Sequence, residues 1–460
     1  MKGGGQAVSA ATAGENDRAG PFEVTHRLVL SIAIPMTLGF LTTPLMGLTD
    51  TAVAGRLGSA NALAGLAIGA VLFDLLLGSF NFLRASTTGL VAQALGRGNP
   101  REEQAIYWRS LVIALCCGLA IALLSPFLLS AGLFLMAPSP GVAEVTTTYF
   151  MIRVLAAPMA LANYALLGFV LGRGQGLTGL MLQVIINGTN IVLSIMLGLG
   201  FGWGIACIAW GTFAGEAIGT LAGFVIVVSR FNRAHRPSRA EVLARDRLRA
   251  LFSLNRDIMI RTFVLIGSFA IMTRIGTSFG PLVLAANAVL MNIFLVAGYY
   301  LDGLSNAAEQ LVGRAFGANF PRAFERAVKF TLLWSFGLGF VTMLLFLAFG
   351  RDVIALLTTT ESVQVEAAKY LPWAALTAVA GALAFQMDGV YIGATWSTAM
   401  RNMMLLAFAG YLLSLAFFVP LLGNHGLWLS LNLFLVFRGI FLALRLPALA
   451  RRQFSRPGRS

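Results

Sequence analysis

Twelve apolar runs of bilayer length fill almost the whole of this 460-residue chain, and no other feature limits its fold as strongly. They lie near residues 28–55, 61–95, 106–135, 143–172, 177–200 and 203–229, then near 251–278, 282–316, 322–349, 362–393, 398–422 and 425–449. A membrane helix needs about 20 mostly apolar residues, so each run is long enough to cross. Runs of 30 or more are expected to tilt or to project beyond the bilayer. Only 11% of the residues are charged, whereas a soluble domain carries about a quarter. A soluble enzyme is excluded, and the expected fold is an all-α membrane protein of twelve transmembrane helices with short connections.

The net charge is +14, with all but Lys2, Lys329 and Lys369 of the 33 basic residues being Arg. Such a balance fits nucleic acid, anionic lipid or cytoplasmic loops, and position decides between them. Arg230, Arg233, Arg236, Arg239, Arg245, Arg247 and Arg249 sit between the sixth and seventh runs, and Arg451, Arg452, Arg456 and Arg459 follow the twelfth. Alternate connections agree, with Arg97, Arg101, Arg173, Arg322, Arg326 and Arg401 on the same side. The facing loops around Pro138, Gly202, Pro281 and Asn424 are nearly free of Lys and Arg. Basic loops stay inside, so both termini are expected in the cytoplasm and no nucleic-acid partner is expected. Residues 1–24, rich in Gly, Ala and Ser without the apolar core of a cleavable signal, read as a disordered cytoplasmic tail, and 450–460 as a basic one. Cys116, Cys117 and Cys207 lie in apolar runs, so neither a disulfide framework nor a metal or other cofactor is expected.

The chain repeats itself. A shift of 221 residues lays LRASTTGLVAQALGRGNPR (83–101) on LSNAAEQLVGRAFGANFPR (304–322), matching Leu83 with Leu304, Leu90 with Leu311, Gly96 with Gly317, Pro100 with Pro321 and Arg101 with Arg322. The same register pairs Tyr149 with Tyr370, Gly168 with Gly389 and Gly172 with Gly393. An even number of crossings in each half makes these parallel repeats. The division is an N-terminal six-helix lobe (25–229), a basic linker (230–250) and a C-terminal six-helix lobe (251–449). Two pseudo-symmetric bundles related this way enclose a cleft, and rocking exposes it to one side at a time.

Positions that agree between the halves read as scaffold, whereas costly polar groups present in one half need another reason. Asp50, at the end of PMTLGFLTTPLMGLTD, matches the apolar Ile271 and has no charged neighbour at helical spacing. Pro35 and Pro44 precede it, each removing a backbone hydrogen bond and permitting a bend. A lone carboxylate away from water is a group able to trade charge for a proton, as a proton-coupled cation carrier requires; the alternative is a solvated Asp50 at the outer mouth beside Arg56. Asp388, in FQMDGVYIG, matches Leu167 and is the second such carboxylate; the alternative is an Asp at the cytoplasmic end, paired with Arg401 or solvated. Asn81 matches Asp302 and Thr88 matches Glu309, so polar groups recur there with charge added in the second half. Arg84, Arg153, Arg274 and Arg438 lie in or near spans and are expected to seek carboxylates. Glu216 follows small residues that permit close helix approach. Asn187, Asn190 and Ser194 share a helix face, with Thr212 on the next helix. Sixteen Met and 34 Phe suit an adaptable apolar cavity, or lipid-facing helices.

Three stretches, FNFLRASTTGLVAQALGRGN (80–99), LAANAVLMNIFLVAGYYLDGLSNAAEQLVGRAFG (284–317) and FQMDGVYIGATWSTAMRN (385–402), resemble in order the DinF subfamily of multidrug and toxic compound extrusion (MATE) transporters. The resemblance spans all twelve segments. It implies a two-lobed antiporter in a bacterial inner membrane that expels organic, often cationic and aromatic compounds in exchange for protons or sodium. It makes Asp50 the protonation site, Pro35 the place where the first helix bends, and Asn190, Thr212 and Tyr149 the polar groups networked with that Asp; Asp388 is similar to a cation-coupling Asp of other branches. Ser194 departs from the pattern, standing where relatives commonly carry a second Asp, which favours protons over sodium.

The expected function is therefore proton-coupled efflux of small cationic or amphipathic compounds by a monomer in contact with membrane lipid. The alternative is a lipid-linked precursor flippase of the wider superfamily, whose cleft would be lined by Arg to hold a pyrophosphate.

Overall fold

The structure, a computed structural model, describes residues 22–56 and 59–455. In the first half run α1 (His26–Arg56), α2 (Ala60–Gly78), α3 (Phe82–Gly96), α4 (Pro100–Leu123), α5 (Ser125–Met136), α6 (Pro140–Arg153), α7 (Ala157–Gly172), α8 (Gly176–Ile195) and α9 (Ala206–Val228). A short α10 (Arg239–Val242) lies in the linker. The second half runs as α11 (Arg245–Ser278), α12 (Pro281–Gly317), α13 (Pro321–Leu357), α14 (Glu361–Gly393), α15 (Ser397–Leu422) and α16 (Asn424–Phe454). Among the described residues, twelve stretches are long and apolar enough to cross a membrane.

Three first-half spans are broken where their second-half partners run on without interruption. α2 stops at Ser79, whose Oγ donates to the Leu75 carbonyl at 2.6 Å, and α3 begins after Asn81; short polar side chains that bond the backbone locally weaken a helix interior. α4 gives way to α5 at Pro126, and α6 passes into α7 through a three-residue turn, Val154–Ala156, just before Pro158. Proline lacks the N–H and crowds the carbonyl four residues back. The second-half counterparts Tyr300, Leu347 and Val379 keep α12, α13 and α14 continuous. Length in these first-half runs is thus taken up by breaks, where the sequence led us to expect only tilt or projection. α1 passes unbroken through Pro35 and Pro44.

The 221-residue register is visible in the backbone. Left-handed φ angles recur at Gly98 and Asn319 (66° and 50°), at Gly174 and Thr395 (72° and 55°), and at Gly202 and Gly423 (67° and 57°). Close packing repeats too. Gly168 and Gly172 press on the carbonyls of Arg84 and Thr88, and Gly389 and Gly393 press on those of Ser305 and Glu309, the same residues advanced by one repeat.

Between the halves the contact is its own image. A Cβ on Gly96 would overlap the Arg314 carbonyl, and one on Gly317 would overlap the Gln93 carbonyl; 93 pairs with 314 and 96 with 317 under the repeat. A pseudo-two-fold axis therefore passes between α3 and α12 at the end of the molecule that carries the linker. Gln93 Nε2 adds bonds to the Gly393 carbonyl (2.8 Å) and to Thr395 Oγ1 (3.1 Å).

Symmetry fails along the seam. α1 packs along α12, where Gly303 lets Thr37 and the Ala33 carbonyl approach. The repeat partners of that contact are Phe82 and Ile258, and there α11 meets α3 over a much shorter stretch. One side of the seam is sealed by a glycine; the other is held apart by a phenyl ring and a branched side chain.

At the linker end Phe22, Glu23 and Val24, assigned to the tail from sequence, are bound to the second half. The Arg314 guanidinium lies 4.1 Å from the Phe22 ring, Arg326 bonds Glu23 at 3.0 Å, and Val24 is buried. The rest of that tail lies outside the described residues, as do residues 456–460; α16 extends through Phe454 into the region read as a C-terminal tail.

Candidate transport cavity

Cross-bundle hydrogen bonds among the described residues gather at the linker end, from Arg84–Asn306 to Gln93–Gly393. Above them a cavity of about 460 Å³ separates the bundles, within the range of sites for drug-sized molecules. Five carboxylates line it, Asp74, Glu216, Asp302, Glu309 and Asp388, against three guanidinium groups, Arg84, Arg153 and Arg261. Its aromatic wall comes from Phe40, Phe73, Phe82, Tyr164, Tyr299 and Phe385. Met46 is the one Met on it among the described residues, so the adaptable surface inferred from Met and Phe together is in fact phenylalanine and tyrosine.

On the first-bundle side, α1 and α8 pack face to face and bring a set of neutral polar groups to Asp50. Asp50 is 6% exposed, and its Oδ1 accepts a 3.0 Å hydrogen bond from Ser194 Oγ. Ser194 and Asn190 are one helical turn apart, with Ser194 Oγ 3.5 Å from Asn190 Oδ1. Asn190 Nδ2 donates to Thr212 Oγ1 at 2.7 Å, and Thr212 Oγ1 donates in turn to the Ile208 carbonyl at 3.0 Å. Asn190 and Thr212 face the cavity, so Asp50 stands behind the wall, joined to it through side chains that carry no charge. No basic group lies within 4 Å of Asp50 among the described residues, and Arg56 is not its partner. One turn further along α8, Asn187 donates to Thr42 Oγ1 at 2.6 Å. Glu216 accepts from Asn163 Nδ2 at 2.6 Å.

Tyr149 is buried beside this set and accepts from Arg153 Nη1 at 2.5 Å. The Arg153 guanidinium lies 4.6 Å from the Phe73 ring centre, a cation–π contact. Arg153 thus takes a phenol and a ring where a carboxylate was expected. Arg274 likewise turns to Thr277 Oγ1 (3.2 Å).

The second-bundle side is organised by ion pairs. Asp388, on α14, is bonded by Arg261 of α11 and by Arg438 of α16. Arg401, the partner considered from sequence, instead bonds Asp257 Oδ1 at 2.7 Å, whose Oδ2 accepts from Ser397 and Thr398 at 3.0 and 2.8 Å. Reach explains the exchange: Arg401 is on the first turn of α15 beside Asp257 at the linker end, while Asp388 lies deeper in the bundle. Glu309 lies 3.5 Å from Arg84, which also bonds Asn81 Oδ1 at 3.1 Å across the α2–α3 break. Asp302 lines the cavity with no ion pair within 4 Å among the described residues.

Of the residues singled out from sequence, Asn81, Arg84, Asn187, Asn190, Thr212, Glu216, Asp302, Glu309 and Asp388 are in the wall, Asp50, Ser194 and Tyr149 are one layer behind it, and Pro35 lies on α1 away from it. Asp74 and Arg261 were missed. Asp74 in AVLFDLLLG is a lone acid whose repeat partner is Leu295, and the rule applied to Asp50 finds it. Arg261 sits at the start of a span and matches Phe40, another cavity residue.

The family model MatE matches residues 35–196 and again 258–418. DNA damage-inducible protein F of Escherichia coli is 37% identical over 413 residues, 90% of each chain. Multidrug resistance protein PmpM of Pseudomonas aeruginosa is 26% identical, over 92% of this chain and 91% of its own. The fold agrees with the crystal structure of a Vibrio cholerae MATE transporter mutant (TM-score 0.87, 19% identity, 94% of this chain and 98% of that one). It agrees also with an outward-facing multidrug resistance MATE family transporter (TM-score 0.84, 15% identity, 94% and 97%). With both halves matched by one family model and a relative more than a third identical over nine-tenths of either chain, this protein belongs to the MATE family and is an integral membrane transporter, not an enzyme.

Proposed function

We propose that the protein is a proton-coupled antiporter that expels organic cations and cationic amphiphiles, with Asp50 as the coupling group. One observation carries this reading: Asp50 is buried, answered by a neutral hydroxyl, and linked through Asn190 and Thr212 to the wall of the cavity between the bundles. A carboxylate held this way changes charge without stranding a buried cation beside it. A proton arriving from the open end neutralises Asp50, the cavity loses the pull of the negative charge behind its wall, α1 bends at Pro35, and the cation leaves. Loss of the proton toward the linker end resets the cycle as the lobes, 25–229 and 251–449, rock past each other. The Arg-rich linker supports a cytoplasmic linker end and a bacterial inner-membrane location, with the monomer as the working unit.

A cation as cargo is favoured by the excess of carboxylates over guanidinium groups in the cavity; a pyrophosphate-bearing lipid precursor would meet net repulsion there. Ser194, as a hydroxyl where a second carboxylate would build an oxygen cage, favours a proton over sodium. Purified protein in vesicles, given pH and sodium gradients separately, should drive out a fluorescent aromatic cation on the pH gradient alone. Asp50→Asn should abolish that efflux while the protein elutes as a folded species. Undiminished pH-driven efflux from Asp50→Asn would overturn the assignment.

A further inference from the structure

The loosely packed side of the seam ends, at the linker end, in a second cavity of about 520 Å³ walled by both bundles. Arg97, Glu102 and Arg109 line it from the first bundle; Arg247, Thr395 and Ser397 line it from the second. Three guanidinium groups therefore face one carboxylate. Arg109 is already committed, its Nε and Nη2 donating to the carbonyls of Val242 (2.9 Å) and Glu241 (3.0 Å) and so pinning the linker to α4. Glu102 is shared, 3.8 Å from Arg109 and 4.0 Å from Arg247. Arg97 has no carboxylate within 4 Å among the described residues. The cavity thus holds more positive charge than its own residues answer. Its charge converges from α3, α4 and α11 on one space.

Two further observations say what chemistry fits. Planar guanidinium forks match phosphate oxygens, and basic pockets between helices at the cytoplasmic face of a membrane protein suit lipid headgroups. Leu243 and Phe252, 54% and 56% exposed, flank the start of α11 next to the cavity and offer apolar surface at the same level. Where Gly303 seals α1 against α12, the α11 side is held open, so the cavity is reached from between the bundles.

We propose that this cavity binds a phosphate-bearing anion, as the phosphodiester of an anionic membrane lipid or as a soluble phosphate, and that the anion bridges the two bundles and holds the linker end closed. Arg97 moves with the first bundle and Arg247 with the second, so the anion is gripped from both sides only while the bundles meet there. The site is separate from the transport cavity and does not depend on the coupling ion.

The full-length protein would be placed in nanodiscs of phosphatidylcholine alone, of phosphatidylcholine with phosphatidylglycerol, and of phosphatidylcholine with excess inorganic phosphate. Retained lipid is read by native mass spectrometry, and closure by the distance between spin labels set on either bundle at the linker end. Wild type should retain phosphatidylglycerol and shift toward the short distance. The Arg97→Gln, Arg247→Gln double variant should retain it roughly tenfold less and lose the shift. Arg245→Gln, on the same helix but outside this cavity, should behave as wild type. Closure by phosphate without the lipid supports the site with a soluble ligand; closure by phosphatidylglycerol only supports it with a lipid. Both Arg97 and Arg247 are exposed, and elution as a single species checks the fold. Equal retention by the double variant, an equal loss in Arg245→Gln, or no response to either ligand overturns the proposal.

Discussion

Asp50, one layer behind the wall of the cavity between the bundles, and Asp388, in that wall, are both buried acids, yet they are held in opposite ways. Asp50 meets a serine hydroxyl, and through it an amide and a threonine. Asp388 meets two arginines, Arg261 and Arg438, the second of them 1% exposed. Neutralising Asp50 leaves neutral partners that rearrange at small cost. Neutralising Asp388 leaves the buried Arg438 and the half-buried Arg261 without their anion, which a low-dielectric interior does not tolerate. Duplication supplied two similar scaffolds, and the partners reaching in from other helices left one acid among neutral groups and the other held by ion pairs. Helix continuity follows the same division. The bundle whose acid meets neutral partners is broken at Ser79–Asn81, Leu124 and Val154–Ala156, with cavity residues beside the first and third breaks, while the ion-paired bundle has unbroken α12, α13 and α14.

The sharpest test of that contrast is to neutralise each acid and measure folding, not transport. Asp388→Asn should cost about 3–5 kcal/mol, because removing one partner of a buried pair strands the other; the expected result is a large loss of monodisperse protein and of melting temperature. Adding Arg438→Leu should recover part of that loss. Asp50→Asn, by comparison, exchanges a carboxylate for an amide among hydrogen-bonding neutrals and should leave the melting temperature nearly unchanged. Equal destabilisation by the two substitutions would erase the distinction drawn here.

Next in size is the self-imaging contact on the pseudo-two-fold axis. A Cβ at Gly317 would overlap the Gln93 carbonyl, so Gly317→Ala should oppose closure of the linker end by about 1–3 kcal/mol, the usual cost of overpacking. Spin-label distances across that end should lengthen, and pH-driven efflux should fall with the population of the closed form. Gly96→Ala should do the same, since it meets the Arg314 carbonyl in the mirrored contact. A closed end unaffected by either would mean that the bundles do not need this approach.

What could be read from sequence was what depends on residues close along the chain or in register with each other. Twelve apolar runs gave the spans because a bilayer tests length and polarity locally, and the 221-residue match between 83–101 and 304–322 gave the symmetry because α3 and the end of α12 must present the same glycines to each other. The polar face of α8 was legible for the same reason: Asn187, Asn190 and Ser194 are spaced by helical turns. Pairings were not legible. Arg261 and Asp388 are separated by 127 residues and meet through the packing of α11 and α14, so helical spacing sees neither. The breaks escaped because hydropathy counts Ser79 and Pro158 as brief interruptions, whereas the backbone registers a hydroxyl bonded to the Leu75 carbonyl at the first and a missing N–H at the second. Asp74 was as legible as Asp50: it is a lone acid within an apolar run, and its repeat partner is the apolar Leu295.

The smallest expected effect concerns Thr395, where the halves differ by strain. Its φ of 55° is a left-handed conformation that the repeat assigns to Gly174 in the first half. A β-branched residue there costs about 1–2 kcal/mol, and the hydroxyl accepts a 3.1 Å bond from Gln93. Thr395→Gly removes the strain and gives up a hydrogen bond worth about 1 kcal/mol, without orphaning Gln93, which keeps the Gly393 carbonyl. A net gain of about 0.5 kcal/mol is expected, read as a slightly higher melting temperature. Gly174→Thr should do the opposite by more, because its new Cβ would lie only 3.1 Å from Gln310 Nε2 and no bond compensates. A fall in stability on Thr395→Gly would mean that the Gln93 bond outweighs the strain, making this residue a fastener between the bundles where its repeat partner is only a turn.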